Sequence, residues 1–244
     1  MQNKIIHRAE NRGHANHGWL NTYHSFSFAN YRDNEKIHFG VLRVLNDDTV
    51  APGRGFGTHP HENMEIISIP TSGRLEHRDS MGNGGIIETE EIQVMSAGTG
   101  IQHSEFNPDA DQESKFFQIW LFPNKRDVKP RYQQIKLSKE ERKNKWDQII
   151  SPNAEDKGAW IHQNAWFHIA DLEEGKSLAY QLKDKENNGI YLFVIEGEIT
   201  LAEDQLQERD AVGLTNLADF AIKANKNSKI LLMEVPMQLP SYFK

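Results

Sequence analysis

Two short stretches hold the residue types from which a metal centre is built. The first is Gly53-Arg-Gly-Phe-Gly-Thr-His59-Pro-His61-Glu-Asn-Met-Glu65, and the second, about forty residues on, is Gly100-Ile-Gln-His103-Ser-Glu105. Each sets two candidate ligands at i and i+2. Successive residues of a strand point to opposite faces, so His59 and His61 share one face, as do His103 and Glu105. If the two segments are neighbouring strands of one barrel, three imidazoles and a carboxylate converge on one point. Pro60 biases His59 towards extended backbone and, lacking an N–H, suits a strand end or edge. Gly53, Gly55 and Gly57 permit a tight approach. Glu65 is a further candidate, but on a straight strand it lies roughly 13 Å from His61, too far to share an ion. Glu105 is therefore expected as the ligand, and Glu65 as a carboxylate that lines the pocket or orients a ligand.

The composition restricts what else these residues can do. The chain has 244 residues, a formal charge of -7 and no cysteine, with a pI of about 5.9. Disulfides, zinc–thiolate sites and thiol catalysis are excluded together. Any metal must be held by imidazole and carboxylate. Net negative charge gives no reason to expect direct nucleic-acid binding or attraction to an anionic membrane. The start of the chain lacks an apolar signal core and no later run approaches membrane-spanning length, so a cytoplasmic location is expected.

The elements that must position the site read as short strands separated by glycine-containing turns. Ile37 to Leu45 is the clearest early strand, ended by the turn-prone Asn46-Asp47-Asp48. Runs from Glu65, Gly73, Ile86 and Phe116 follow at roughly ten-residue spacing, the pattern of a sandwich or barrel. After a basic connector flanked by Pro123 and Pro130, Ser138-Lys-Glu-Glu141 forms a capping box ahead of Trp146, Ile149 and Ile150 at helical spacing. That predicts an interdomain helix. From Trp160 the strand pattern resumes. Gly73 and Gly197 each follow a buried run, which suggests a degenerate repeat with Lys183 and Lys185 near the places of His59 and His61. The expected layout is all-β, two jelly-roll domains. Residues 1–135 form a metal-binding domain, 136–152 a linker with a short helix, and 153–244 a second domain without ligands.

Other residues invite weaker readings. His77 with Asp79 either faces the pocket or is a satisfied turn histidine. His24 and His38 lie in strand-like runs and read as structural. Trp19, Trp120 and Trp166 read as core.

With these residues in place, the arrangement resembles the cupin superfamily, whose first motif is G-x5-HxH-x3-E followed shortly by glycine. Gly53, His59, His61, Glu65 and Gly73 fit it. In the second motif a histidine is usually followed four residues later by asparagine. Here His103 is followed by Glu105, with Asn107 at the asparagine position, a change that resembles the pirin family. His17-Gly-Trp-Leu, His24-Ser-Phe-Ser-Phe, Glu76-His-Arg-Asp-Ser and Gln118-Ile-Trp-Leu extend the resemblance over nearly all of the first domain, closest to the bacterial pirin-like quercetinase branch. Thr71-Ser72 and Glu90-Glu91 depart from the usual loops without touching a ligand.

The resemblance implies a ligand set of three histidines and a glutamate, here His59, His61, His103 and Glu105. Such a site suits Fe(II), with Mn, Co, Ni, Cu or Zn as other occupants. It implies a ring-opening dioxygenase acting on quercetin or a related flavonol or catecholic compound, with dioxygen as co-substrate. The base implied is Glu105, then Glu65. The alternative is a pirin-type metalloprotein that regulates through a protein partner, its metal responding to redox state; an isomerase or another cupin enzyme is a third reading. A monomer is expected.

Overall fold

The computed structural model describes residues 3–243. Alternating burial along the strands resolves into four sheets in two halves. In the first half a seven-stranded sheet runs β12 (Arg131–Lys136), β9 (Glu91–Ser96), β6 (Glu65–Ser72), β11 (Ser114–Leu121), β4 (Leu42–Val50), β3 (Leu20–His24), β2 (Gly13–Asn16). Its partner sheet runs β5 (Gly55–His61), β10 (Ile101–Phe106), β7 (Arg74–Asp79), β8 (Gly84–Glu88).

The second half repeats this plan. Its seven-stranded sheet runs β1 (Asn3–His7), β20 (Ala211–Thr215), β17 (Asn188–Glu196), β22 (Ser228–Pro236), β15 (Trp166–Leu172), β13 (Asp147–Ser151), β14 (Ala159–Trp160). Its smaller sheet runs β16 (Ser177–Gln181), β21 (Asp219–Ala224), β18 (Glu198–Leu201), β19 (Asp204–Gln207). The expected two-jelly-roll architecture is what forms. Gly73 and Gly197 occupy matching turns at φ 68° and 88°. In each, an added Cβ would run into the backbone of the returning strand, so glycine is required twice for one reason.

Strand parity sorts the core. Odd-numbered residues of β6 and β11, such as Ile67, Ile69, Phe117 and Ile119, pack against Phe167, Phe193, Leu231 and Met233 of the other half. The two large sheets therefore lie face to face, with Phe117 edge-on to Phe193 at 5.3 Å between ring centroids. Burial of each such side chain stabilises by roughly 1.5–3 kcal/mol, which makes this seam the main adhesion between halves. Even-numbered residues turn into the barrels. The second barrel is filled by Leu192, Val194, Ile199, Leu206, Ile222 and Leu232. Among the described residues the first has two small apolar clusters, around Leu75 and Ile66. The difference in filling leaves the first barrel its cavity.

Five expectations are corrected here. The segment Asn46-Asp47-Asp48 is not a turn but the middle of β4, because each polar side chain there faces either a cavity or a partner. Ile37 and His38 are exposed and lie ahead of the strand. The interdomain helix is a single turn, α1 (Lys139–Arg142). Ser138 donates to the Glu140 carboxylate at 2.9 Å instead of capping a backbone N–H, and Asn144 adopts φ 56°. Ile149 and Ile150 belong to β13, where a register shift lets both consecutive residues reach the seam. The strand in the place of β5 is β16, whose Leu178 and Tyr180 face the apolar core. Lys183 lies beyond it, in the loop.

The domain boundaries also differ from the expected ones. β1 pairs with β20 of the second half, and β13, within the expected linker, is a strand of that same sheet. Buried charge crosses the seam twice. Arg142, 2 % exposed, donates Nε to Asp171 Oδ2 at 2.6 Å and pairs with Glu90 of the first half. Asp47 accepts from Arg209 Nε at 2.8 Å and Arg12 Nη1 at 3.1 Å.

Candidate metal centre

β5 and β10 are hydrogen-bonded neighbours in antiparallel register, with His103 directly opposite His59 and Ile101 opposite His61. The register shifts between His103 and Glu105, so that Glu105 meets Phe56. This bulge changes which residues of β5 face inward, and Phe56, His59 and His61 all line the barrel cavity. Gly55 permits it, since a Cβ there would strike the Glu105 carbonyl.

The three imidazoles converge. Ring centroids are 4.9 Å apart for His59–His61, 4.4 Å for His59–His103 and 4.9 Å for His61–His103. One nitrogen of each falls within 4.8 Å of the others. His59 Nδ1 donates to the Gly57 carbonyl at 2.8 Å, which fixes the tautomer and leaves Nε2 with its lone pair. Burial, reinforced by the neighbouring imidazoles, lowers His61 to about 4 and His103 to about 3. His61 and His103 are then neutral near pH 7, as ligands must be. His103 is 2 % exposed, and both its ring nitrogens lack a hydrogen-bond partner among the described residues. A buried imidazole left open in this way fits a metal ion, and the donor set is one that divalent transition metals accept.

Glu105 follows two residues after His103 on the same face. Its carboxylate lies within 4.8 Å of His103 and His77 donor atoms but does not form one such group with all three convergent imidazoles. Ser68 Oγ donates to Oε1 at 2.9 Å and Gln118 Nε2 to Oε2 at 2.8 Å, so the carboxylate is held from β6 and β11. His77 is wholly buried behind it, between Asp79 and Gln93 at 3.3 Å each and stacked on Tyr132. It is neither a cavity-lining group nor a turn residue.

Glu65 faces the other way. It shares parity with Ile67, which packs in the seam, whereas Ser68 on the opposite face reaches Glu105. Its carboxylate accepts from Ser96 Oγ at 2.7 Å and from the His162 backbone, and burial pushes it up to about 7. The expectation of a pocket carboxylate fails on strand parity, and with it the role of second base.

The cavity encloses about 570 Å³. Beyond the ligands its walls include Phe28, Tyr31, Phe56 and Trp120, with Trp120 edge-on to His61 at 4.8 Å. Trp120 is thus wall, not core. His24 also lines it, held by Asn46 Oδ1 at 2.9 Å. Asp48 and Thr22, cross-strand neighbours on β4 and β3, complete this side. Burial pushes Asp48 up to about 7 against the nearby Thr22 hydroxyl, with the charge of Glu105 adding to the rise. Sequence reading missed these groups. Their one signal was the i, i+2 spacing of Asn46 and Asp48 inside an apolar run.

Residues 6–121 match the family described as Pirin, and residues 148–235 match the quercetinase C-terminal cupin domain. The chain is 37 % identical over 231 residues to the quercetin 2,3-dioxygenase of Escherichia coli strain K12, covering 95 % of this chain and 98 % of that one. It is 36 % identical over 223 residues to a pirin-like protein of Caulobacter vibrioides, covering 91 % and 95 %. Among solved structures, YhhW from Escherichia coli superposes with a TM-score of 0.91 at 35 % identity, covering 97 % of this chain and 99 % of that one. The same bacterial pirin in complex with nickel(II) gives a TM-score of 0.90 at 36 % identity, covering 96 % and 99 %. Among the described residues no helix is long and apolar enough to cross a membrane.

Proposed function

The chain belongs to the pirin family, and from that premise we propose that it is a metal-dependent dioxygenase opening a ring of quercetin or a related flavonol. The observation that carries the reading is the convergence of three imidazoles on the wall of an aromatic-lined cavity, with an anchored carboxylate beside them. Relatives named quercetin 2,3-dioxygenase support the substrate class.

His59, His61 and His103 would hold the metal, with Glu105 as the fourth ligand. We propose Fe(II) as the native ion, with Ni(II) the first competitor given the nickel complex of the Escherichia coli pirin. When bound, the metal supplies Lewis acidity and a template for substrate and dioxygen. The protein supplies the rest. Trp120, Phe56 and Phe28 hold a planar ring system by its faces and edges. Glu105 takes the proton of the substrate hydroxyl at a carboxylate oxygen, with Ser68 and Gln118 holding it in place. The aromatic walls keep bulk water from the reacting ring.

Reconstitution with Fe, Ni, Co, Mn, Cu and Zn, followed by quercetin absorbance under air and under nitrogen, tests the proposal. Loss of the flavonol spectrum with at least one metal, only under air, is expected. Loss without oxygen, or none with any metal, would overturn it.

A further inference from the structure

Two cross-strand pairs on β3 and β4 face the cavity from the sheet opposite the ligand strands: His24 with Asn46, and Thr22 with Asp48. The first pair is closed on itself by the 2.9 Å bond. The second is open. Asp48 and Thr22 are each 3 % exposed, yet beyond the loose contact between the two side chains Asp48 Oδ1 and Thr22 Oγ1 have no hydrogen-bond partner among the described residues. Leaving a buried carboxylate and hydroxyl without further partners is destabilising. The fold gives no reason for it here, since the adjacent Asp47, on the other face, is held by two arginines.

The surroundings define what would complete the pair. Phe28, Tyr31, Phe56 and Trp120 line the same cavity and suit a planar aromatic ligand. Asp48 offers an acceptor and Thr22 a donor. One group that answers both is a hydroxyl, which donates to the first and accepts from the second. The position of Asp48 up near 7 fits the same partner, because a hydroxyl bonds either form of the carboxyl group.

We propose that Asp48 and Thr22 form a subsite for a phenolic hydroxyl carried on the part of the aromatic ligand away from its metal-binding oxygens, and so set which substitution pattern the cavity accepts. The identification of that ligand as substrate rests on the dioxygenase reading; the subsite itself rests on the open pair. A site built to bond a hydroxyl discriminates against an analogue that lacks it.

The test uses full-length protein loaded with Zn(II), with binding read by tryptophan fluorescence and calorimetry. Quercetin is compared with 3-hydroxyflavone, which keeps the 3-hydroxyl and 4-carbonyl and lacks the other hydroxyls. Wild type is expected to prefer quercetin by about tenfold or more, and Asp48→Asn and Thr22→Val each to shrink that preference by about tenfold at unchanged zinc content. If Asp48→Asn does not fold, Thr22→Val carries the comparison. Equal binding of both compounds by wild type, or an unchanged preference in the variants, overturns the subsite and leaves the dioxygenase reading standing. A preference lost in the variants, in a protein with no oxygen-dependent turnover under any metal, keeps the subsite and overturns the reaction. If wild type binds neither compound, both fall.

Discussion

The amide of Gln118 and the carboxylate of Glu105 meet at 2.8 Å, Nε2 to Oε2, joining the large sheet of the first half to its small one. With Ser68 on the other oxygen, both lobes of the carboxylate are fixed before any ligand arrives. Groups that orient a metal ligand affect affinity without touching the ion. Gln118→Ala and Ser68→Ala are expected to weaken metal binding by about 10–100-fold with the fold retained. Competition against a chromophoric chelator measures this. Unchanged affinity in both variants would remove Glu105 from the ligand set.

Glu65 and Glu105 give opposite expectations although both are buried glutamates of the first half. Glu65→Gln should keep full metal content, because its side chain points to Ser96 and His162 in the seam. Glu105→Ala should lose most of it. Metal analysis of untagged protein decides between them, and the reverse result would mean that strand parity misassigns the ligand.

Asp48 carries a pH signature. Its carboxyl stands near 7 in the folded chain against an ordinary value of 3.8. A raised acid favours the protonated form when folded, so its destabilising effect is absent below about pH 4, grows through the interval, and is complete above about 7. The full effect has an upper bound of about 4 kcal/mol. Asp48→Asn should therefore gain thermal stability relative to wild type as pH rises from 4 to 8. A Tm difference independent of pH would show that Asp48 ionises as freely in the folded chain as in the unfolded one.

Arg142 binds the halves through Asp171 and Glu90 while itself 2 % exposed. Removing one partner of a buried ionic group strands the others. Arg142→Ala is expected to cost about 3–5 kcal/mol, or roughly 10 °C in Tm for a chain of this size. Scanning calorimetry measures it; a shift under 2 °C would mean that water replaces the guanidinium at no cost.

What was legible in the sequence, and what was not, divides along strand geometry. His59, His61, His103 and Glu105 were legible because i and i+2 ligands on a strand need no knowledge of the rest of the fold. Glu65 was not, because only the position of β6 in the large sheet decides which face is interior. Asn46-Asp47-Asp48 reads as a turn by composition. In the structure it is a strand whose polar groups are satisfied by His24 on one side and by Arg12 and Arg209 on the other, with Asp48 left open. Ile149 and Ile150 misled for a related reason. Two consecutive apolar residues suit a helix face, and a strand only where a register shift turns both inward.

The pairing of β1 with β20 imposes a schedule on the chain. Ile5 lies against Gly213, and Ile6 packs into the core of the second barrel. β1 must wait for a partner about two hundred residues further along the chain, which at ribosomal speeds of about 5–20 residues per second takes roughly 10–40 s. During that wait the metal-binding barrel has its ligand strands in hand, yet the β20 edge that β1 will cover does not exist. Ligand capture and completion of the molecule are thus separated in time, and β1 is among the last strands to be paired.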